Sequence, residues 1–109
     1  REALRKLGYH YRLHSARFPG KPDIYIPRLK TAVLVNGCFW HQHPGCRRSS
    51  IPKSNTDYWI PKLQRNTERD RQIQEELRGC GLKVVVVWEC EAKPSEDFIK
   101  LLARKLHEQ

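Results

Sequence analysis

Cys38, His43 and Cys46 fall within nine residues, in the stretch NGCFWHQHPGC from Asn36 to Cys46. Thiolate and imidazole donors at such short spacing suit Zn²⁺. A tetrahedral structural site needs a fourth ligand. Cys90 is the best candidate, because it ends an apolar strand-like run that can lie beside this loop, and His41 is the rival. Buried reduced thiols or disulfides are the alternatives for the same cysteines. A closed Cys₃His site would staple the loop to the body of the domain and would leave no open position for hydrolysis. The remaining cysteine, Cys80, sits at a helix end and reads as a small buried residue.

A second chemistry uses oxygen donors. Asp23 begins one apolar run, and His41 follows the end of the next, behind Asn36 and Gly37. Mg²⁺ takes oxygen ligands, keeps several waters and grips a phosphate. Asp23 and a strand-end carbonyl would serve it. The His41 imidazole can pass a proton to or from an attacking water. Together they would support phosphodiester hydrolysis. Taken alone, Asp23 also reads as a turn carboxylate, and His41 as a surface or zinc-loop histidine.

The overall charge agrees with a polyanionic partner. The 109 residues carry 21 Lys+Arg against 12 Asp+Glu, a formal charge of +9. Nucleic acid is the first candidate and an acidic membrane surface the second. The basic residues are spread along the chain, so a basic tail is not expected. No 18-residue apolar stretch and no signal-peptide pattern occurs.

The elements that must position these residues follow from periodicity. Arg1 to Leu7 predicts the tail of a helix stopped by Gly8. Tyr9 to His14 alternates like a strand, and RFPGKP is a turn-rich break. Asp23–Ile26 and Thr31–Asn36 predict strands joined by the hairpin-length PRLK. RRSSIPKSNTD predicts a loop. A helix follows, with Asn55, Thr56 or Asp57 as its cap and Pro61 confined to its first turn. Its inner stripe is Trp59, Leu63, Asn66, Ile73 and Leu77, and Gly79 or Gly81 ends it. KVVVVWEC predicts a central strand buried on both faces, parallel to an earlier strand because a helical crossover precedes it. Ser95 caps a last helix whose stripe is Phe98, Leu102 and Leu106. The order predicts a small α/β layer fold with a mixed sheet, in a single domain over residues 1–109.

These pieces resemble a known family. FPGKPDIYI, NGCFWHQHPGC, NTDYWIPKLQRNTERDRQI and VVVVWEC, with the spacing from Gly8 to Asp23, are similar to the very-short-patch repair (Vsr) endonucleases. The resemblance runs from about Gly8 to Cys90. It implies a restriction-endonuclease-like three-layer fold, a central mixed β-sheet flanked by helices, and a structural zinc site. It implies Asp23 as the Mg²⁺-binding carboxylate, the Val35 main-chain carbonyl as the second ligand, and His41 as the catalytic histidine. Cys38, His43, Cys46 and Cys90 match the zinc ligands. Phe39 and Trp40 match aromatics that wedge into DNA beside a mismatch, with Trp59 in the same group, and Lys62 and Asn66 match positions that reach the mismatched pair. The activity implied is strand-specific nicking of double-stranded DNA at T·G mismatches, by a monomer in the bacterial cytoplasm, as companion to a cytosine-5 methyltransferase.

Three departures accompany the resemblance. Asn36 stands where better-known members carry histidine, so a proton carrier or phosphate contact is altered. The zinc loop has one more residue between His43 and Cys46, carried by Pro44-Gly45, which a turn can absorb. The family's first-helix glutamate falls upstream of Arg1, and the expectation is that an N-terminal arm and the start of the first helix are missing. Two alternatives stand beside the main reading: a nuclease of this fold without mismatch preference, and a zinc-stapled DNA-binding module that has lost catalysis.

Overall fold

Four strands form one mixed sheet, in the order β1 (Arg12–Leu13), β2 (Ile24–Ile26), β3 (Thr31–Asn36) and β4 (Lys83–Trp88). The computed structural model describes residues 2–92 and 96–107. The first three strands are antiparallel neighbours, and β4 runs parallel to β3 with Asn36 opposite Trp88. The parallel step is bridged by the long helix α2 (Thr56–Gly79), as a parallel connection requires.

Helices cover both faces. Helices α1 (Glu2–Lys6) and α3 (Glu96–His107) pack Leu4, Leu102 and Leu106 on Ile24, Ile26, Val33, Val85 and Val87. On the other face, α2 sets Leu77 and Ile73 against Tyr25, Ala32, Leu34 and Val84. The result is an α/β/α sandwich, and alternate residues of β3 and β4 go to opposite layers, as the pleat dictates. Gly8 adopts a left-handed φ of 81° and stops α1, as its position predicts. Phe98 packs on the edge of the first cluster, completing the stripe expected for α3. Ser95, the expected cap of α3, lies outside the described residues.

Several expectations need correcting. KVVVV is not central: β4 ends the sheet order, and β2 and β3 are the strands flanked on both sides by others. A continuous β-branched run reports that both faces are covered and says nothing about edges. Part of the open edge is covered by Lys105, whose Nζ donates to the Val86 carbonyl at 2.9 Å. The Tyr9–His14 strand shrinks to two exposed residues, Arg12 and Leu13. Pro61 lies in the second turn of α2, as its sixth residue, beyond the first turn where its missing N–H is free of consequence. Asn55 occupies the N-cap position in a left-handed conformation, but its side chain makes no cap hydrogen bond. Cys80 is exposed, because the chain turns outward there before Gly81.

Candidate active site and metal centre

The parallel register explains why distant cysteines meet. Cys38 lies two residues past Asn36, and Cys90 two past its partner Trp88. Both leave the sheet at the same end, where ligands collect in open parallel sheets. Between Gly37 and Cys46 the chain curls through nested turns: His41 N–H donates to the Gly37 carbonyl at 3.1 Å, and His43 N–H to the Cys38 carbonyl at 2.9 Å. Cys46 N–H then donates to the His43 carbonyl at 3.3 Å across Pro44 and Gly45, with Gly45 at φ 71°. Pro followed by a left-handed glycine is the type II turn signature, so the extra residue is absorbed as expected.

Donor atoms of Cys38, His43, Cys46 and Cys90 all lie within 4.8 Å of one another. His43 Nδ1 is 3.8 Å from the Cys38 sulfur and 3.4 Å from that of Cys90. Bond lengths of about 2.3 Å to sulfur and 2.0 Å to nitrogen put tetrahedral zinc ligands roughly 3.5–3.8 Å apart, so the donor set fits Zn²⁺. The His43 ring stacks on Trp88, with centroids 4.2 Å apart and planes 12° from parallel, which fixes its orientation. The Arg48 backbone N–H holds the Cys46 thiol below its ordinary range. Burial, with Cys38 and Cys46 beside it, pushes Cys90 up to about 11. Crowded thiols resist ionising together, and a divalent cation between them removes that penalty. His41, the rival fourth ligand, points elsewhere.

His41 Nδ1 meets Asp70 Oδ2 at 2.5 Å. Asp70 lies on α2 and did not figure among the residues expected at the site. With Asp23, Val35, Asn36 and His41 it lines a hollow of about 200 Å³. Asp23 accepts a hydrogen bond from the Val35 N–H at 2.7 Å. The β2–β3 ladder stops at Ile24 opposite Val33, so the Asp23 side chain takes the place of the next backbone partner. Asn36 is buried at the end of β3. The four polar positions read from the sequence therefore converge.

The five residues matched to DNA contacts gather on an adjoining surface. Phe39 packs edge-on against Trp40 and Trp59, with centroids 5.2 and 5.4 Å away, and Trp40 is 6.0 Å from Trp59. None of the three belongs to either core cluster, and Trp40 is 47% exposed. Lys62 Nζ lies 5.7 Å from the Trp40 ring centroid and donates to the Tyr58 hydroxyl at 3.0 Å. Asn66 Nδ2 donates to the Trp40 carbonyl at 3.3 Å. Tyr58, 54% exposed and edge-on to Trp59, was not anticipated; a tyrosine one residue before a tryptophan at a helix start was its signal.

Comparison with known proteins places the chain among DNA endonucleases. A family model described as DNA mismatch endonuclease Vsr matches residues 1–48. The type II nicking enzyme V.NmeAIP of Neisseria meningitidis is 50% identical over 86 residues, covering 79% of this chain and 61% of the relative. V.XorIIP of Xanthomonas oryzae, also a type II nicking enzyme, is 46% identical over 91 residues, covering 84% and 66%. The DNA mismatch endonuclease Vsr of Escherichia coli is 33% identical over 102 residues, covering 93% and 65%. The chain spans less than two thirds of the length of these relatives. With the motif spacing, the mixed sheet and the clustered cysteines and histidine already described, these matches identify the chain as a member of the Vsr family.

Proposed function

We propose that the full protein is a Mg²⁺-dependent, strand-specific DNA endonuclease that nicks beside T·G mismatches in very-short-patch repair. The observation that carries this reading is the His41–Asp70 pair lining one small hollow with Asp23, Val35 and Asn36.

The chemistry follows from the bonding. Asp70 accepts a hydrogen bond from the His41 Nδ1–H, which leaves Nε2 as the nitrogen that exchanges a proton with water or the leaving group. Asp70 also stabilises the imidazolium once it forms, as the acid of a triad does. Asp23 uses Oδ2 for the Val35 N–H, leaving Oδ1 for a cation. A strand residue directs its N–H and C=O to the same side, so the Val35 carbonyl is aimed with its N–H toward Asp23. One carboxylate oxygen and one carbonyl are the hard oxygen donors that suit Mg²⁺. Asp23 and Val35 would hold that ion, which supplies charge neutralisation at the phosphate when bound. The Asn36 amide can donate to a phosphate oxygen but cannot titrate.

The aromatic surface supports mismatch recognition. An apolar wedge kinks a duplex at a cost of a few kcal/mol in unstacking, and a mismatch lowers that cost. Phe39 and Trp40 are the wedge, with Trp59 behind them, and Lys62 and Asn66, one helical turn apart, reach the mismatched pair. Cys38, His43, Cys46 and Cys90 would hold zinc, which would staple the loop that carries wedge and histidine together. T·G pairs arise when 5-methylcytosine deaminates, so the partner enzyme is a cytosine-5 methyltransferase. The protein acts as a monomer in the cytoplasm.

A second reading, nicking without mismatch preference, draws support from the relatives named type II nicking enzymes. Nicking of T·G and T·A duplexes by the full-length protein, with and without Mg²⁺, separates the two. The main reading expects Mg²⁺-dependent nicking of the T·G duplex alone, abolished in Asp23→Ala with mismatch binding retained. Equal cleavage of both duplexes would favour the second reading, and undiminished cleavage by Asp23→Ala would sink the active-site assignment.

A further inference from the structure

The restriction-endonuclease pattern commonly supplies a D/E-x-K lysine on the strand after its metal-binding acid, and β3 (Thr31–Asn36) carries none. The hollow at the proposed active site contains two carboxylates, Asp23 and Asp70. A phosphodiester entering it meets like charge. Asp70 is paired with His41, and Asp23 would be offset by a cation. The phosphate's own charge still lacks a fixed protein partner.

Lys21 lines the same hollow. Its backbone is unusual, because φ is 44°, a left-handed value for a residue that is not glycine. It also directly precedes Pro22, a position that favours extended backbone. The turn is closed by a hydrogen bond from the Lys21 N–H to the Phe18 carbonyl at 3.3 Å, and Pro22 behind it is fully buried. Lys21 itself is exposed, and among the described residues no ion pair engages its ammonium. A non-glycine outlier retained at a functional pocket points to a role for its side chain. Glycine would satisfy this backbone better, so what lysine adds is the cation.

We propose that Lys21 contacts the scissile phosphate, or the one beside it, and supplies in front of Asp23 the fixed positive charge that β3 does not supply after it. This rests on the proposed nuclease reading of the same hollow. The contact is to phosphate oxygens, so it carries no base information. It favours T·G and T·A duplexes alike in binding, and it aids the step in which charge builds on the phosphate.

The test uses the full-length protein with Lys21→Gly, Lys21→Arg and Asp23→Ala. Lys21→Gly relieves the left-handed strain, so it should fold at least as stably as the parent. Its single-turnover nicking of a T·G duplex should nonetheless fall roughly 100-fold, the loss typical of removing one charge-stabilising donor. Its affinity should weaken equally for T·G and T·A duplexes, with the salt slope reduced by about one. Lys21→Arg, which keeps the charge, should retain most of the rate. Lys21→Gly nicking within about threefold of the parent, beside an inactive Asp23→Ala, would overturn the proposal. Lys21→Arg no better than Lys21→Gly would overturn it equally. An active Asp23→Ala would instead overturn the nuclease reading beneath it.

Discussion

Asp70→Ala and Asp70→Asn should slow nicking by different amounts, and their order identifies what His41 does. The hydrogen bond between them is short, 2.5 Å, and charge-assisted, but both side chains keep some solvent contact, 29% and 20% exposed. Such a bond is worth about 1.5–3 kcal/mol, and solvent access puts this one in the lower half of that range. At about 1.4 kcal/mol per tenfold, deleting it in Asp70→Ala costs roughly 10–40-fold in rate. Asp70→Asn acts differently. Its amide N–H donates to Nδ1 and forces the ring proton onto Nε2. A histidine that must accept a proton at Nε2 then holds the wrong tautomer, which in a serine-protease triad costs about 10⁴-fold. Partial exposure lets the ring reorient, so about 10²–10⁴-fold is expected, worse than alanine. If His41 instead donates a proton to the leaving oxygen, Asp70→Asn keeps Nε2 protonated and is the milder change. The assay is single-turnover nicking of a T·G duplex by the full-length protein at saturating Mg²⁺, with thermal stability and zinc content as controls of folding. Both variants within about threefold of the parent would refute the role given to the pair.

Zinc analysis should find one ion per chain, and Cys90→Ser should lose it. Structural zinc contributes energy comparable to a whole domain's stability, so Tm should drop by at least about 10 °C. Cys80→Ser, at an exposed helix end, should change neither quantity, and equal loss in both variants would reject the ligand set. The Glu91 carboxyl is a pH-dependent brace beside that site. Burial works to raise its pKa, but the Trp88 N–H at 2.9 Å and Lys105 Nζ at 3.0 Å outweigh burial and hold it below the usual carboxylate range. A lowered folded-state pKa gives stability that is full above the unfolded value and lost as pH falls through the folded one. Glu91→Gln should therefore lower stability by about 1 kcal/mol at pH 7. The gap from the parent should close below about pH 4, and thermal melts across that range would expose a constant gap as a failure of the argument.

Much of the site was legible because its signals are local or set by register. C-x₄-H-x₂-C specifies its own turn chemistry, and parallel pairing of two strands brings Cys90 to it without further information. The faces of the sheet were legible for the same reason, since a β-branched run records what covers a strand above and below. What covers its edge depends on a Lys105 side chain nineteen residues away, which leaves no trace in the run itself. Cys80 was misread because a cysteine's burial depends on where the turn after the helix sends it.

Asp70 shows where periodicity held more than was taken from it. The inner stripe of α2 steps from Asn66 to Ile73, a gap of seven that passes through position 70 at helical spacing. A carboxylate at an inward position of an otherwise apolar or amide stripe demands a partner, since an unpaired buried charge is costly. The partner is His41, held by the Gly37–Cys46 loop on the opposite wall. One helix thus supports that loop at successive turns: Asn66 on the Trp40 carbonyl, Asp70 on the His41 ring. Trp40 and His41, the proposed wedge and proton carrier, are adjacent residues, and both are braced from α2. A wedge seated in a mismatch would pull on the same helix that orients the histidine. On the proposed reading, recognition and catalysis are then coupled through about one turn of α2.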